Sequence, residues 1–292
     1  MNKPVKVLLQ TTIPYTEDDW HVGRFSLLKD YLGSLKDANG DPMYEVTARN
    51  RENGPDGEDP ILSSLDKSDF DELWLFAVDT GDGITAKDCD AIRGFRKRGG
   101  GILATRDHFD LGSSICTLGG IGAAHYFHSK NPDPDPDRCC RDDQATKNID
   151  WPNYHSGANG DFQKITIVEP HELLRRPDGT QIEYFPAHPH EGGVGAPTDD
   201  PTAKVIATGT SQATDRPFNL VVAFEKGHEG GRGIAESSFH HLVDYNWDTD
   251  AGCPSFVEEA PGNGFKRDPE KLKDVKQYVA NAARWLASEP PA

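Results

Sequence analysis

The chain reads as an α/β protein built on a mostly parallel sheet. Two observations predict this: short apolar runs that suit strands buried on both faces, and amphipathic helical patterns alternating with them through the first hundred residues. Val5 to Leu9 is the first such run. Residues 24–37 place Phe25, Leu28, Leu32 and Leu35 three or four positions apart, which predicts a helix. Tyr44 to Ala48 is the second strand and Leu73 to Val78 the third, the latter bounded by acidic residues, Gly81 and Gly83. Thr85 is a suitable N-cap for a helix through Arg98, with Ile92 and Phe95 on its apolar side and basic residues in its last turn. Gly99-Gly100-Gly101 ends that helix, and Ile102 to Thr105 is the fourth strand. Alternation at this pace implies right-handed crossovers between parallel strands.

Beyond Gly119-Gly120 the pattern changes. Residues 129–161 contain Pro132-Asp133-Pro134-Asp135-Pro136-Asp137 and few apolar side chains, which predicts a long excursion over the surface. Strands resume at 162–168 and are expected at 181–185, 204–208, 218–224 and 232–238, the last two forming a hairpin that turns at Gly227 to Gly231. Residues 269–287 form a closing helix with Leu272, Val275, Val279, Ala282, Ala283 and Leu286 on one side and Pro290-Pro291 beyond it. With no internal repeat, residues 1–292 read as one domain.

Composition narrows the function. The chain has 292 residues, 31 basic against 48 acidic, and a net charge of −17, which would repel nucleic acid and anionic membranes. No run approaches the roughly 18 apolar residues of a membrane span. The N-terminus enters a strand at once, without the apolar stretch of a signal peptide, so the cytoplasm is the expected compartment and a small molecule the expected partner. A homo-oligomer is open beside a monomer. Five cysteines (Cys89, Cys116, Cys139, Cys140, Cys253) include no CxxC pair. Arg138 and Arg141 flank Cys139-Cys140, but adjacent thiols chelate one ion poorly, so a structural or incidental role is expected.

Chemistry concentrates in four clusters. Arg106-Asp107-His108, with Asp110, follows the fourth strand, where open α/β sheets bind ligands, and a helix is expected to start near Phe109. His188-Pro189-His190-Glu191 places two imidazoles about 6–7 Å apart on one side of an extended segment, a spacing that a metal bridges, with Glu191 as a further ligand or base. His240-His241 ends the last strand; alternation sends one ring to the site and the other to a structural hydrogen bond. His125 and His128 form an i, i+3 pair if helical, with His125 a second-row substrate contact. His21, His155, His171 and His228 have no supporting neighbours.

The stretch Gly99-Gly100-Gly101-Ile102-Leu103-Ala104-Thr105, then a polar elbow, then Leu118-Gly119-Gly120 with His125 downstream, resembles the ThuA-like branch of the class I glutamine amidotransferase-like superfamily. Gly231-Arg232-Gly233-Ile234-Ala235, with a histidine after the strand, is similar to that branch's terminal Gly-Arg-Val…Gly-His pattern. The resemblance spans about residues 70–245. It implies a flavodoxin-like sheet with helices on both faces, long loop insertions, one active-site edge and a link to sugar metabolism. Glutamine amidotransferases carry a nucleophilic cysteine in the turn that here reads Thr105-Arg106-Asp107-His108-Phe109. With Cys116 at least two helical turns further on, glutamine hydrolysis through a thioester is not expected.

The function that fits these residues is a metal-assisted hydrolase or lyase acting on a small polar substrate such as a sugar derivative. Asp107, His108, Glu191 and His241 would carry the chemistry, Arg106 and His125 would bind substrate, and His188, His190 and His240 would hold Zn, Fe or Mn. The alternatives are a metal-free His/Asp acid–base enzyme and a non-catalytic binding protein on the same fold.

Overall fold

The computed structural model describes residues 3–139, 141, 142, 148–227 and 230–287. Cys140, His228 and Pro290-Pro291 lie outside the described residues. The main sheet has eight strands: β1 (Val5–Thr11), β2 (Tyr44–Arg49), β3 (Glu72–Phe76), β4 (Gly101–Thr105), β5 (Thr166–Ile167), β6 (Ala203–Thr210), β7 (Pro217–Phe224) and β8 (Gly233–Glu236). Their spatial order is β2-β1-β3-β4-β8-β7-β6-β5. The first five in this order pair in parallel, in the flavodoxin-like arrangement. The other three extend the sheet antiparallel, beginning with the β7–β8 hairpin.

Alternation along the central strands sorts their side chains onto two cores. Val7, Leu9, Trp74, Phe76 and Leu103 face helices α1 (Ser26–Ser34) and α3 (Leu272–Leu286). Leu8, Leu73, Leu75, Ile102 and Ala104 face α2 (Ala86–Lys97). Thr85 and Asp88 form a reciprocal capping box at the start of α2, which satisfies two of its free amide donors. Phe25 stacks on Phe76 with ring centroids 4.1 Å apart.

Several local expectations shift. The helix expected over 24–37 opens as a 3-10 turn at Val22–Phe25, capped by the His21 ring, before α1 begins. The single strand expected at 162–168 serves two sheets: Phe162–Lys164 pairs with Tyr184–Pro186, and β5 pairs with β6. No α-helix follows β4, because Phe109 (φ 51°) and Gly112 (φ 83°) adopt left-handed backbone that a helix cannot include. A 3-10 turn at Ser113–Leu118 takes its place. His125 is likewise not helical: His125–Tyr126 is a short strand paired with Gly193–Val194. The excursion is a surface loop over only part of its length. Trp151 to Tyr154, Ser156, Asn159 and Gly160 are buried.

Removing the stacked ring beneath α1 tests this packing. Phe25→Ala should cost about 3–5 kcal/mol through lost contact and an unfilled cavity, read as a lower urea midpoint with an unchanged slope.

Candidate active site

The site is built where β4 and β8 leave the sheet side by side. Thr105 pairs with Glu236 at the last rung. The two chains stay in contact beyond it, as Phe239 N–H donates to Arg106 O (2.8 Å) and Ser238 Oγ to Asp107 Oδ1 (3.1 Å). The His188–Gly192 segment crosses directly above them, held by Gly192 N–H to Ser237 O (3.0 Å). A Cβ on Gly192 would stand 2.5 Å from Asp107 O and 2.7 Å from Ser237 O, so glycine is required for this approach. Three stretches remote in sequence therefore meet at one mouth.

That mouth opens into a cavity of about 390 Å³. Asp107, His108, His188, His190 and His240 line it together with the rings of Trp20 and Phe256, Trp20 standing edge-on to His240 at 4.8 Å. Asp107 Oδ2 lies 2.9 Å from His108 Nδ1, and Oδ1 lies 3.3 Å from His188 Nε2. Neither contact has hydrogen-bond alignment: among the described residues, His108 Nδ1 and His188 Nε2 are both buried without a hydrogen-bond partner. His240 Nε2 is 3.9 Å from Asp107 Oδ2, and its ring stacks on His188 at 3.6 Å. One donor atom from each of Asp107, His108 and His188 lies within 4.8 Å of the others.

The tautomers follow from a backbone carbonyl. Ala187 O can only accept, so the Asn246 group 2.8 Å from it is the amide nitrogen. That nitrogen also donates to Asn159 Oδ1 (3.1 Å). Asn246 Oδ1 then accepts from His240 Nδ1 (3.0 Å), and Asn159 Oδ1 accepts from His188 Nδ1 (2.8 Å). Both rings carry their proton on Nδ1, and their bare Nε2 lone pairs face the Asp107 carboxylate. Burial pushes the His188 pKa down to about 4 and that of His240 well below its ordinary value, so both rings are neutral.

His190 was expected among metal ligands, but it bonds elsewhere. Its Nε2 lies 2.7 Å from Glu259 Oε1 and its Nδ1 3.2 Å from Asn153 Oδ1. The bond to His190 lowers the Glu259 pKa to about 2. Nor is the 188–190 stretch extended: it bends, setting the two rings edge to face at 5.5 Å.

Four further expectations are corrected by placement. Arg106 is fully buried, donates to Phe109 O (2.6 Å) and Tyr126 O, and lies over the Phe127 ring, so it clamps loops and does not meet substrate. Burial lowers its pKa to about 9. His125 is sealed between Ile121 O and Ala104 O, with a pKa pushed down to about 3 by burial. Glu191 is also sealed, accepting from Ser156 Oγ (2.9 Å), Gln163 Nε2 (2.7 Å) and Ser237 Oγ (2.9 Å). His241 sits between Glu191 Oε2 and Glu236 Oε2, 3.2 Å from each, while Tyr278 of α3 donates to Glu236 Oε1 (2.6 Å). Glu191 and His241 thus form a pin beneath the site and do not line the cavity. The two adjacent histidines do part ways, although they ride on a 3-10 turn and not on a strand.

Burial alone would lower the His241 pKa, but the two carboxylates outweigh it and push it up to about 10. Its charge therefore stabilises the fold fully below the unfolded pKa of about 6.5, and this contribution is lost as pH rises toward 10. Urea midpoints of the wild type should fall across that window, and His241→Gln should flatten the decline. His241→Ala should cost about 3–5 kcal/mol at neutral pH, because two buried carboxylates lose their cation.

No family model and no curated protein matches the chain. Among solved structures it is similar to a putative ThuA-like protein from Parabacteroides merdae, at 12% identity over 99% of this chain and 92% of the other, with a TM-score of 0.46. It is also similar to the glutaminase domain of Trypanosoma brucei CTPS with bound acivicin (12% identity, 98% of both chains, TM-score 0.48). A third similarity is to an exo-β-1,4-mannosidase from Opitutaceae bacterium strain TAV5 (12%, 96% of this chain and 36% of the other, TM-score 0.35).

Proposed function

We propose that this chain is a hydrolase or lyase that uses a divalent cation held by Asp107, His108 Nδ1 and His188 Nε2, with His240 Nε2 beside them. One observation carries the reading. Buried imidazole lone pairs face a buried carboxylate, an electron-rich arrangement with no proton on the facing His188 and His240 nitrogens to relieve it. A cation relieves it, and Nδ1–H bonds to amide oxygens are the second-row support that ligating histidines receive. Two imidazoles and one carboxylate suit Zn, Fe or Mn. Such an ion supplies Lewis-acid polarisation of a substrate oxygen.

The protein's own residues supply the rest. His190, hydrogen-bonded to Glu259 and 5.2 Å from the His108 ring between centroids, would move a proton at the edge of the cavity. A cavity of about 390 Å³ accepts a small molecule, and the Trp20 and Phe256 rings among its polar lining suit a ring with one apolar side, such as a sugar derivative. The acidic surface favours cation capture. Cys89, Cys116 and Cys253 are free thiols, which fits a reducing compartment such as the cytoplasm. The 2.7 Å His190–Glu259 bond also supports a second reading, acid–base catalysis without a metal.

Metal analysis of tag-free protein separates the two. The expected result is about one equivalent of a transition metal per chain, falling below about a tenth in Asp107→Asn and His188→Ala. Turnover on a panel of sugar esters and lactones should vanish with chelator and return with metal. Activity that survives in metal-depleted protein would favour the metal-free reading.

A further inference from the structure

A second concavity, of about 500 Å³, lies at the opposite edge of the sheet, between the C-terminal half of α3, the entry to β8 and the loop at 172–177. Its lining is rich in guanidinium although the chain carries a net charge of −17. Arg176 is spoken for by Asp274 (2.6 and 2.7 Å). Arg175 and Arg284 are exposed, and among the described residues neither is in an ion pair. Arg232 donates to Trp285 O (2.8 Å) and keeps one long contact, 3.9 Å, with Glu225. Its Nε, the atom in that contact, is buried and makes no hydrogen bond among the described residues, and neither does the indole Nε1 of Trp285, a lining residue only 2% exposed.

Buried donors without acceptors are uncommon and call for a physical explanation. Here two donors without a hydrogen bond, one of them with only the long Glu225 contact, accompany two guanidinium groups outside any ion pair among the described residues in one concavity, so the unmet demand is for negatively charged oxygen. Guanidinium forks match a phosphate group and an indole N–H adds a single directed donor. Asn281 keeps the loop at this distance from α3 by donating to Leu173 O (3.1 Å) and Arg175 O (2.8 Å). We infer that this concavity is a binding site for a small phosphate-type oxyanion, separate from the cavity at the carboxyl ends of β4 and β8.

Isothermal titration with inorganic phosphate, against chloride at matched ionic strength, tests the inference. Wild type and His188→Ala should both bind phosphate saturably, and the double variant Arg175→Gln/Arg284→Gln should bind at least tenfold more weakly. Both arginines are exposed, and circular dichroism verifies that the double variant folds. Absence of saturable binding in wild type, or equal binding by the double variant, overturns the site. Loss of binding in His188→Ala alone also overturns it, by moving the phosphate to the cavity at β4 and β8.

Discussion

The orientation of one side-chain amide, that of Asn246, decides what the histidine cluster can do. Ala187 O accepts from its nitrogen, and every hydrogen bond outward from there has only one direction left to take. The outcome is two neutral rings protonated on Nδ1, stacked at 3.6 Å, with basic nitrogens turned to Asp107. Had the amide been reversed, the same rings would present N–H groups to the carboxylate and the cluster would be a closed hydrogen-bond network. Chemical capacity here depends on a residue that neither lines the cavity nor touches Asp107.

A second constraint keeps that arrangement in place. The 151–160 stretch and the 188–192 turn meet in a single-residue β-bridge, Tyr154 to Glu191, and holding them against the segment that leaves β8 costs conformational entropy. Glu191 offsets it with donors from each side: Ser156, Gln163, Ser237 and His241 all converge on one carboxylate. Through His241 and Glu236 the pin continues to Tyr278 on α3, so the site is tied to the closing helix across the core. A carboxylate with that many partners is saturated, which explains why the most motif-like acid in the chain stands beneath the chemistry.

Much of the architecture was legible in the sequence because buried parallel strands leave continuous apolar runs, as at Val5 to Leu9 and Leu73 to Val78. Asp107, His108, His188 and His240 were also legible, since strand exits in such sheets converge. Asn153, Asn159, Asn246 and Glu259 were not: amides in irregular loops carry no periodicity, and the 129–161 stretch reads as solvent-exposed although its second half is buried. Arg106 illustrates the opposite error. A cation beside a strand exit looks like an anion contact, but the left-handed turn at Phe109 directs its guanidinium inward onto backbone carbonyls. That turn depends on tertiary contacts, including Phe109 N–H to Pro152 O (2.8 Å), which local sequence does not encode.

Nitrogen-15 NMR of histidine-labelled protein, free of metal and at neutral pH, probes the account at its centre by reporting which ring nitrogen carries the proton. His188 and His240 should both show a protonated Nδ1 and an unprotonated Nε2. A proton on Nε2 of either ring, or a charged imidazolium at both, would contradict it: the lone pairs facing Asp107 would not exist, and neither would the basis for a cation there.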